Sequence, residues 1–439
     1  MAKLAWDRSP LPAPAVPMAA TRRPGHSAQC SRTNAAFASL STAAILVVSF
    51  SPLLYVPVPR AALFLGLVGL LALFVVARHL LSEADLEPIE WQAVAWYLLF
   101  LVYVLGSILF RERAMPDDPM LLPSLGLNLV VMILALHAAR ARKAALLTLA
   151  AMAGVFVGTG LFKIATGGVV TESELGITIF PDPSSDLLQN YQTEGFYLGS
   201  FTVLVACGIC FARPPWLRLA LLPIGAAALY LSLLIGSRSN LIAATVVTTV
   251  LFIWRTVRSP AQLPLLAFVI CVLLIASQLI SLPIEGVEGM WTMQRLGMAL
   301  TADDDPTLRG YLFTQAMRMF LADETSFLFG GGVGGFGQFV GMVGLFDAPL
   351  YPHNLMLELL AEYGLVGAVL YFAPILLLAC GRSRFDGTMA GAPWRITAVA
   401  LMAFLWLAAM GSGGLRLSWL IVFFTYLALA APRDRTVTS

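Results

Sequence analysis

Residues 281–352 read SLPIEGVEGMWTMQRLGMALTADDDPTLRGYLFTQAMRMFLADETSFLFGGGVGGFGQFVGMVGLFDAPLYP, the one long polar excursion in an otherwise hydrophobic chain. Apolar runs of membrane-spanning length lie on both sides of it. The stretch therefore interrupts a polytopic α-helical membrane protein rather than linking soluble domains. It carries Arg295, Arg309 and Arg318 among acidic residues, a glycine run over 330–337, and His353 where the chain turns apolar again. Arginines and a histidine held beside a bilayer, away from the basic loops, point to an anion handled there.

Composition supports the same class. Of 439 residues, 59% are hydrophobic and 12% charged, and the mean hydropathy is +0.83, well outside the soluble globular range. A span needs about 20 apolar residues. By that measure about twelve transmembrane helices are expected, at 35–56, 61–79, 91–110, 121–138, 144–165, 195–212, 216–236, 240–254, 261–280, 354–379, 395–411 and 416–431. The expected fold is all-α. Residues 1–34 form a flexible cytoplasmic tail and 35–280 carry the first nine spans. Residues 281–352 form a large outer loop with short helices, 353–431 the last three spans, and 432–439 a second cytoplasmic tail.

With the N-terminus in the cytoplasm, 18 of the 27 Lys and Arg residues fall on the inner side, as the positive-inside rule requires. The loop over 281–352 then lies outside. Net charge +2 sums basic inner loops and acidic outer ones, which gives no reason to expect nucleic acid. Cys207 and Cys210 have C-x-x-C spacing but sit inside an apolar span, where small core residues are the simpler reading. Residues 1–34 have no apolar core of a signal peptide.

Several outer-face motifs carry chemistry. The loop over 167–194 is acidic and ends in Gln189, Asn190, Tyr191 and Gln192 just before a span. It reads either as a solvated loop or as a set of amides for a hydroxyl-rich ligand. The turn Gly236-Ser237-Arg238-Ser239-Asn240 holds Arg238 at the interface, where it either snorkels to headgroups or faces a cavity. Ser239 or Asn240 is placed to cap the next helix. Asp305-Pro306-Thr307 reads as a helix start, followed by an apolar stripe of Leu308, Leu312, Ala316 and Met319. A helix of that pattern is expected to lie along the membrane. Arg309 falls in its first turn, where a cation is locally unfavourable unless an anion sits nearby. Arg318 lies about half a revolution away.

Two patterns mislead. Asp303-Asp304-Asp305 imitates an acidic metal motif on the wrong side for nucleotide sugars. Gly332-Val333-Gly334-Gly335-Phe336-Gly337 fits G-x-G-x-x-G with no βαβ unit around it; a turn or backbone nest near an anion is the remaining reading. His353, at the start of a span, is expected to stay neutral because a helix N-terminus disfavours imidazolium. A neutral imidazole suits a general base, and a lone histidine at the interface equally reads as a polar anchor. Glu358 and Glu362 on the same span suggest that this helix faces a polar cavity. The outer loops contain no His, Cys, Asp and Glu cluster with metal-ligand spacing, so no metal or other cofactor is expected.

Taken together, the motifs resemble the O-antigen ligase and O-antigen polymerase superfamily, closest to the ligases. The resemblance rests on Gly236-Ser237-Arg238, Arg309 on a loop helix, and Leu328-Phe329-Gly330-Gly331-Gly332-Val333-Gly334. It continues in His353-Asn354-Leu355 and in Leu359-Leu360-Ala361-Glu362-Tyr363-Gly364-Leu365-Val366-Gly367. It implies an inverting glycosyltransferase of the bacterial inner membrane with a periplasmic site. The donor would be a glycan on undecaprenyl diphosphate and the acceptor a sugar hydroxyl of lipid A–core. By the same resemblance Arg238 and Arg309 hold the diphosphate and His353 serves the acceptor hydroxyl. Arg295, Tyr351, Asn354, Gln189 and Gln192 complete the expected substrate-binding set. A polymerase, a protein O-glycosylating ligase and a non-enzymatic transporter of lipid-linked glycans are the alternatives.

Overall fold

The computed structural model describes residues 24–50, 86–110, 121–166, 171–173, 176–178, 190–212, 214–235, 237–258, 309–341, 351–381, 393–412, 414–415 and 418–430. Its helices in chain order are α1 (Pro24–Phe50), α2 (Pro88–Phe110), α3 (Leu121–Ala138), α4 (Arg142–Ala165), α5 (Asn190–Phe211), α6 (Pro215–Ile235) and α7 (Arg238–Arg258). Further along the chain come α8 (Arg309–Phe320), α9 (Glu324–Phe329), α10 (Gly335–Val340), α11 (Leu355–Gly381), α12 (Pro393–Ser412) and α13 (Trp419–Leu429). A short antiparallel hairpin, β1 (Thr171–Ser173) with β2 (Gly176–Thr178), pairs Glu172 with Ile177, within the stretch expected to be a loop.

Seven described helical stretches are long and apolar enough to cross a membrane. One of them, Pro123–Ala165, is 43 residues long. It takes in both α3 and α4, joined by a 3-10 turn at Ala139–Ala141. Thr33–Leu46 and Trp419–Leu429 are shorter apolar helices. Ten of the twelve expected segments thus correspond to described helices; those at 61–79 and 261–280 lie outside the described residues, as do residues 1–23 and 432–439, whereas residues 24–34, expected to belong to the flexible tail, instead open α1.

Burial shows how these helices form a bundle for lipid rather than for water. In α2 the buried apolar positions are Ala93, Val94, Tyr97, Phe100 and Val104, a stripe at helical spacing. Its other side exposes Trp96, Leu99, Val102 and Phe110, an apolar surface that water would penalise and hydrocarbon does not. The buried stripe meets α11 through rings: Phe100 and Tyr371 lie 5.3 Å apart at 70°. Helix α13 is buried almost all round, from Trp419 to Ala428, and packs against α3 and α12. Its free C-terminal carbonyls are met by buried Arg142, whose Nε donates to Leu427 O (2.8 Å) and Nη2 to Ala430 O (2.6 Å). Cys207 and Cys210 are buried free thiols in α5.

Helix α8 forms from Arg309, and the Asp305-Pro306 start lies outside the described residues. Its apolar face is covered by protein: Leu312, Ala316 and Met319 cluster with Phe336 of α10 and Ala361 of α11. A helix expected to lie along the membrane is instead docked on α11 by that stripe.

Candidate functional site

Helix α11 is broken at Gly364, which adopts φ 66° and ψ −170°. A break strands the carbonyls of the preceding turn, and the glycine run supplies donors for them. Gly331 N–H donates to Ala361 O (2.7 Å) and Gly332 N–H to Glu362 O (3.1 Å). The Tyr103 hydroxyl reaches both Tyr363 O (2.7 Å) and Phe329 O (2.9 Å), sharing its proton between them. The approach is so close that Gly330 and Gly364 each exclude a side chain. A Cβ on Gly364 would run into Gly330 N and the Leu328 carbonyl, and one on Gly330 into the Glu362 carbonyl.

The nest formed by the glycine run does hold an acceptor, but an internal one, the Glu362 carboxyl group. Gly334 N–H donates to Glu362 Oε2 (3.0 Å) and Phe336 N–H to Oε1 (3.5 Å). Likewise Glu358 Oε2 accepts Leu415 N–H (2.9 Å). Both carboxylates are buried at 5% exposure, so they fasten the helix to backbone instead of lining a polar cavity as expected. In a membrane interior, carboxylates survive burial only with such donors.

The second cluster gathers at the C-terminal end of α12. Arg309 Nη1 donates to Gly411 O (2.9 Å) and Asn354 Nδ2 to Met410 O (2.7 Å). The negative end of α12 therefore faces Arg309, which accounts for a cation in the first turn of α8 without a bound ion. Gly411 is pressed on its other side by the start of α7: a Cβ there would lie 2.7 Å from Ser239 Cβ. Arg238, the first residue of α7, thereby comes to the same helix end as Arg309. At this turn the cap differs from expectation. Asn240 Nδ2 donates to Ser237 Oγ (2.6 Å), and Ser237 O accepts Leu241 N–H (3.1 Å).

Asn354 opens α11 by accepting Met356 N–H (3.0 Å) and Leu357 N–H (3.1 Å) at Oδ1, an N-cap. The residue before it, His353, has φ 56°, the one non-glycine positive φ among the described residues. Left-handed backbone costs a side-chain-bearing residue about 1–2 kcal/mol, and such outliers gather at functional sites. The Tyr351 ring covers the imidazole at 4.1 Å between centroids. Its Nδ1 is buried with no hydrogen-bond partner among the described residues. Burial first, and then the Arg309 charge, bring the imidazole pKa down to about 4. The expected neutrality is present, but its causes are desolvation and Arg309 rather than the helix N-terminus.

A neutral imidazole and two arginines at one helix end can hold an anion and accept a hydrogen bond from a hydroxyl. Residues 223–372 match the O-antigen ligase family model. The matched stretch runs from within α6 to the second half of α11. It includes Arg238, Arg309, the glycine run, His353 and Glu362. It supports the O-antigen ligase superfamily and, at that level, a transferase acting on lipid-linked glycans in a membrane. No curated protein matches the chain.

Relative to the O-antigen ligase motifs, the structure brings Arg309, Tyr351, His353 and Asn354 together, with Arg238 beside them. Arg318 is exposed on the far side of α8. Arg295 and Gln189 lie outside the described residues, and Gln192 sits in the first turn of α5 with its side chain likewise outside. Sequence reasoning missed Met410 and Gly411, whose contribution is backbone carbonyl, and Tyr103, one aromatic residue among many in a span. It also placed Glu194 in a solvated loop. Glu194 is in α5 at 0% exposure, and its neighbour Gly195 is packed against Ser237 and Asn240.

Proposed function

We propose that this protein is an O-antigen ligase: a metal-independent, inverting glycosyltransferase at the periplasmic face of the bacterial inner membrane. It moves a glycan from undecaprenyl diphosphate to a sugar hydroxyl of lipid A–core. The observation that carries this reading is the convergence of Arg309, His353 and Asn354 on the end of α12, next to Arg238.

Guanidinium groups offer planar, permanently charged donors suited to a diphosphate. Arg309 spends one N–H on Gly411 O and is thereby aimed, leaving its other N–H groups for phosphate oxygens. The acceptor hydroxyl attacks the anomeric carbon from the face opposite the diphosphate. The new C–O bond forms, the anomeric C–O(phosphate) bond breaks, and its electron pair leaves on the lipid diphosphate, whose charge the arginines stabilise. The hydroxyl proton passes to His353. An imidazole with a pKa of about 4 is a weak base toward a free alcohol. It is adequate for the attacking oxygen, which becomes strongly acidic as it bonds to carbon, and until then it orients the hydroxyl. One displacement inverts the anomeric centre.

The test is reconstitution of the purified protein with undecaprenyl-diphosphate glycan and three acceptors separately: lipid A–core, a second lipid-linked glycan, and a serine-containing peptide. Transfer to lipid A–core alone supports the ligase. Chain growth on the second lipid-linked glycan marks a polymerase, and peptide glycosylation a protein ligase. Export of the glycan across vesicles without transfer to any acceptor would mark a transporter.

A further inference from the structure

We propose that Tyr103, on α2 and outside the stretch that matches the ligase family, is a positioning residue of the transfer site: its hydroxyl holds the Arg309-bearing module α8–α10 against the His353-bearing half of α11. This inference rests on the proposed function for its catalytic consequence, though not for its geometry.

Three observations meet at this side chain. Its hydroxyl reaches Phe329 O at 2.9 Å on the loop module and Tyr363 O at 2.7 Å on the broken helix. These carbonyls end α9 and the first half of α11, so the one oxygen touches both bodies at their seam. A Cβ on Gly367 would stand 2.9 Å from Tyr103 Cε1 and closer still to Tyr363 Cβ, so the missing side chain leaves room for both residues of the seam. Gly330 and Gly364 let the two backbones meet at the same point. Arg309 begins the module on one side of the seam, and His353 precedes the half-helix on the other. Each is separately tied to α12, through Gly411 O and through Asn354 to Met410 O. With those near ends held by α12, the seam at Tyr103 is the second attachment that sets the angle of one body on the other, so a slip there turns Arg309 relative to His353 while both bodies stay folded.

The experiment is Tyr103→Phe in the full chain, which removes the oxygen and keeps the ring. The first readout is the titration of His353 by NMR in nanodiscs, its signal assigned by difference from His353→Ala. Among the described residues the groups facing this imidazole are the Arg309 guanidinium of α8 and the Tyr351 ring, with Arg238 of α7 at the same helix end and Glu358 on its own helix turned to Leu415 N–H. If the clasp sets the Arg309–His353 distance, loosening it weakens the cation's hold and the midpoint rises from about 4, by about half a pH unit or more. The second readout is steady-state transfer. One lost hydrogen bond of this kind is expected to lower kcat roughly two- to tenfold, with KM for the lipid diphosphate nearly unchanged. Gly367→Ala, which presses on Tyr363 and on the Tyr103 ring and so on both sides of the same hydrogen bond, should move both readouts the same way and serves if the Phe variant does not accumulate.

An unchanged His353 midpoint overturns the proposal, whether kcat holds or falls together with thermal stability, because Tyr103 would then be ordinary packing. The titration needs no glycan donor. If the wild-type chain transfers nothing, the ligase reading fails while Tyr103 is still judged on the midpoint alone.

Discussion

Arg309 and Asn354 donate to consecutive carbonyl oxygens, Gly411 and Met410, at the C-terminal end of α12. One residue comes from the loop module and the other from the cap of α11, so a single helix end fixes both. Those carbonyls lack intrahelical partners and carry the negative end of the helix dipole. The same feature that would be a defect in the bundle thus orients the guanidinium that faces the proposed diphosphate.

Arg238→Ala and Arg309→Ala are each expected to reduce transfer by about 10²-fold or more, the scale seen when a charge-stabilising donor is removed. Lys at either position should rescue poorly, because an ammonium lacks the planar fork. At position 309 it must also reach Gly411 O and a phosphate at once. Arg318→Ala, on the exposed side of α8, should stay within a few-fold of wild type. Steady-state kinetics check this, and near-normal rates for both Lys variants would mean that charge alone suffices.

The Gly330–Gly364 contact predicts a sharp contrast among glycine substitutions. Gly364→Ala adds both a positive-φ penalty and a clash with the Leu328 carbonyl 2.6 Å away. It should lower the thermal midpoint clearly and cut transfer roughly tenfold or more. Gly341→Ala, at φ +72° with nothing within 4 Å, carries the backbone penalty alone and should be milder. Gly126→Ala, with open space in α3, should be neutral or slightly stabilising. A Gly364→Ala protein that melts with wild type would show that the break tolerates a side chain.

How far the sequence could be read depends on the range of the interaction. Helical spans follow from composition over about 20 residues, so the apolar helices were legible. Arg309 and His353 stood out because charge beside a bilayer is costly and therefore rare. The clasp was not legible. Glu362 meets Gly334 across 28 positions and Tyr103 meets Tyr363 across 260, pairings no local pattern encodes. For that reason Glu358 and Glu362 were misread as lining a cavity, when each satisfies backbone N–H groups from a different element. The stripe of α8 was legible as an apolar face, but its cover by α10 and α11 rather than the membrane was not, since the pattern records only that something apolar lies against it.

The sidedness expected from the positive-inside rule can be tested with single cysteines in a background without the five native ones. Phe339→Cys, exposed on α10, should react with an impermeant thiol reagent added to intact inner-membrane vesicles only when their periplasmic face is outward. Arg140→Cys, in the turn between α3 and α4, should show the reverse. The opposite polarity would put the arginine and histidine cluster in the cytoplasm and remove the undecaprenyl-diphosphate reading.

His353 carries the most specific expectation. Protonation blocks it as an acceptor, so activity is present above its pKa and lost as pH falls through it. Because kcat/KM reports the free enzyme, its acid limb should lie near 4, far below the ordinary histidine value of about 6.5. A bound diphosphate would offset the Arg309 charge, so the acid limb of kcat should sit higher than that of kcat/KM. His353→Ala should lower kcat by about 10²–10⁴-fold, while donor affinity, held by the arginines, changes little. His353→Gln, which can accept a hydrogen bond but not carry the proton away, separates orienting from proton transfer. Substantial recovery by Gln would make orientation the main contribution. If His353→Ala turns over within a few-fold of wild type, or the kcat/KM limb lies at pH 6 or above, the imidazole is neither the buried acceptor seen beside Arg309 nor the base, and the arginines alone must drive departure of the diphosphate.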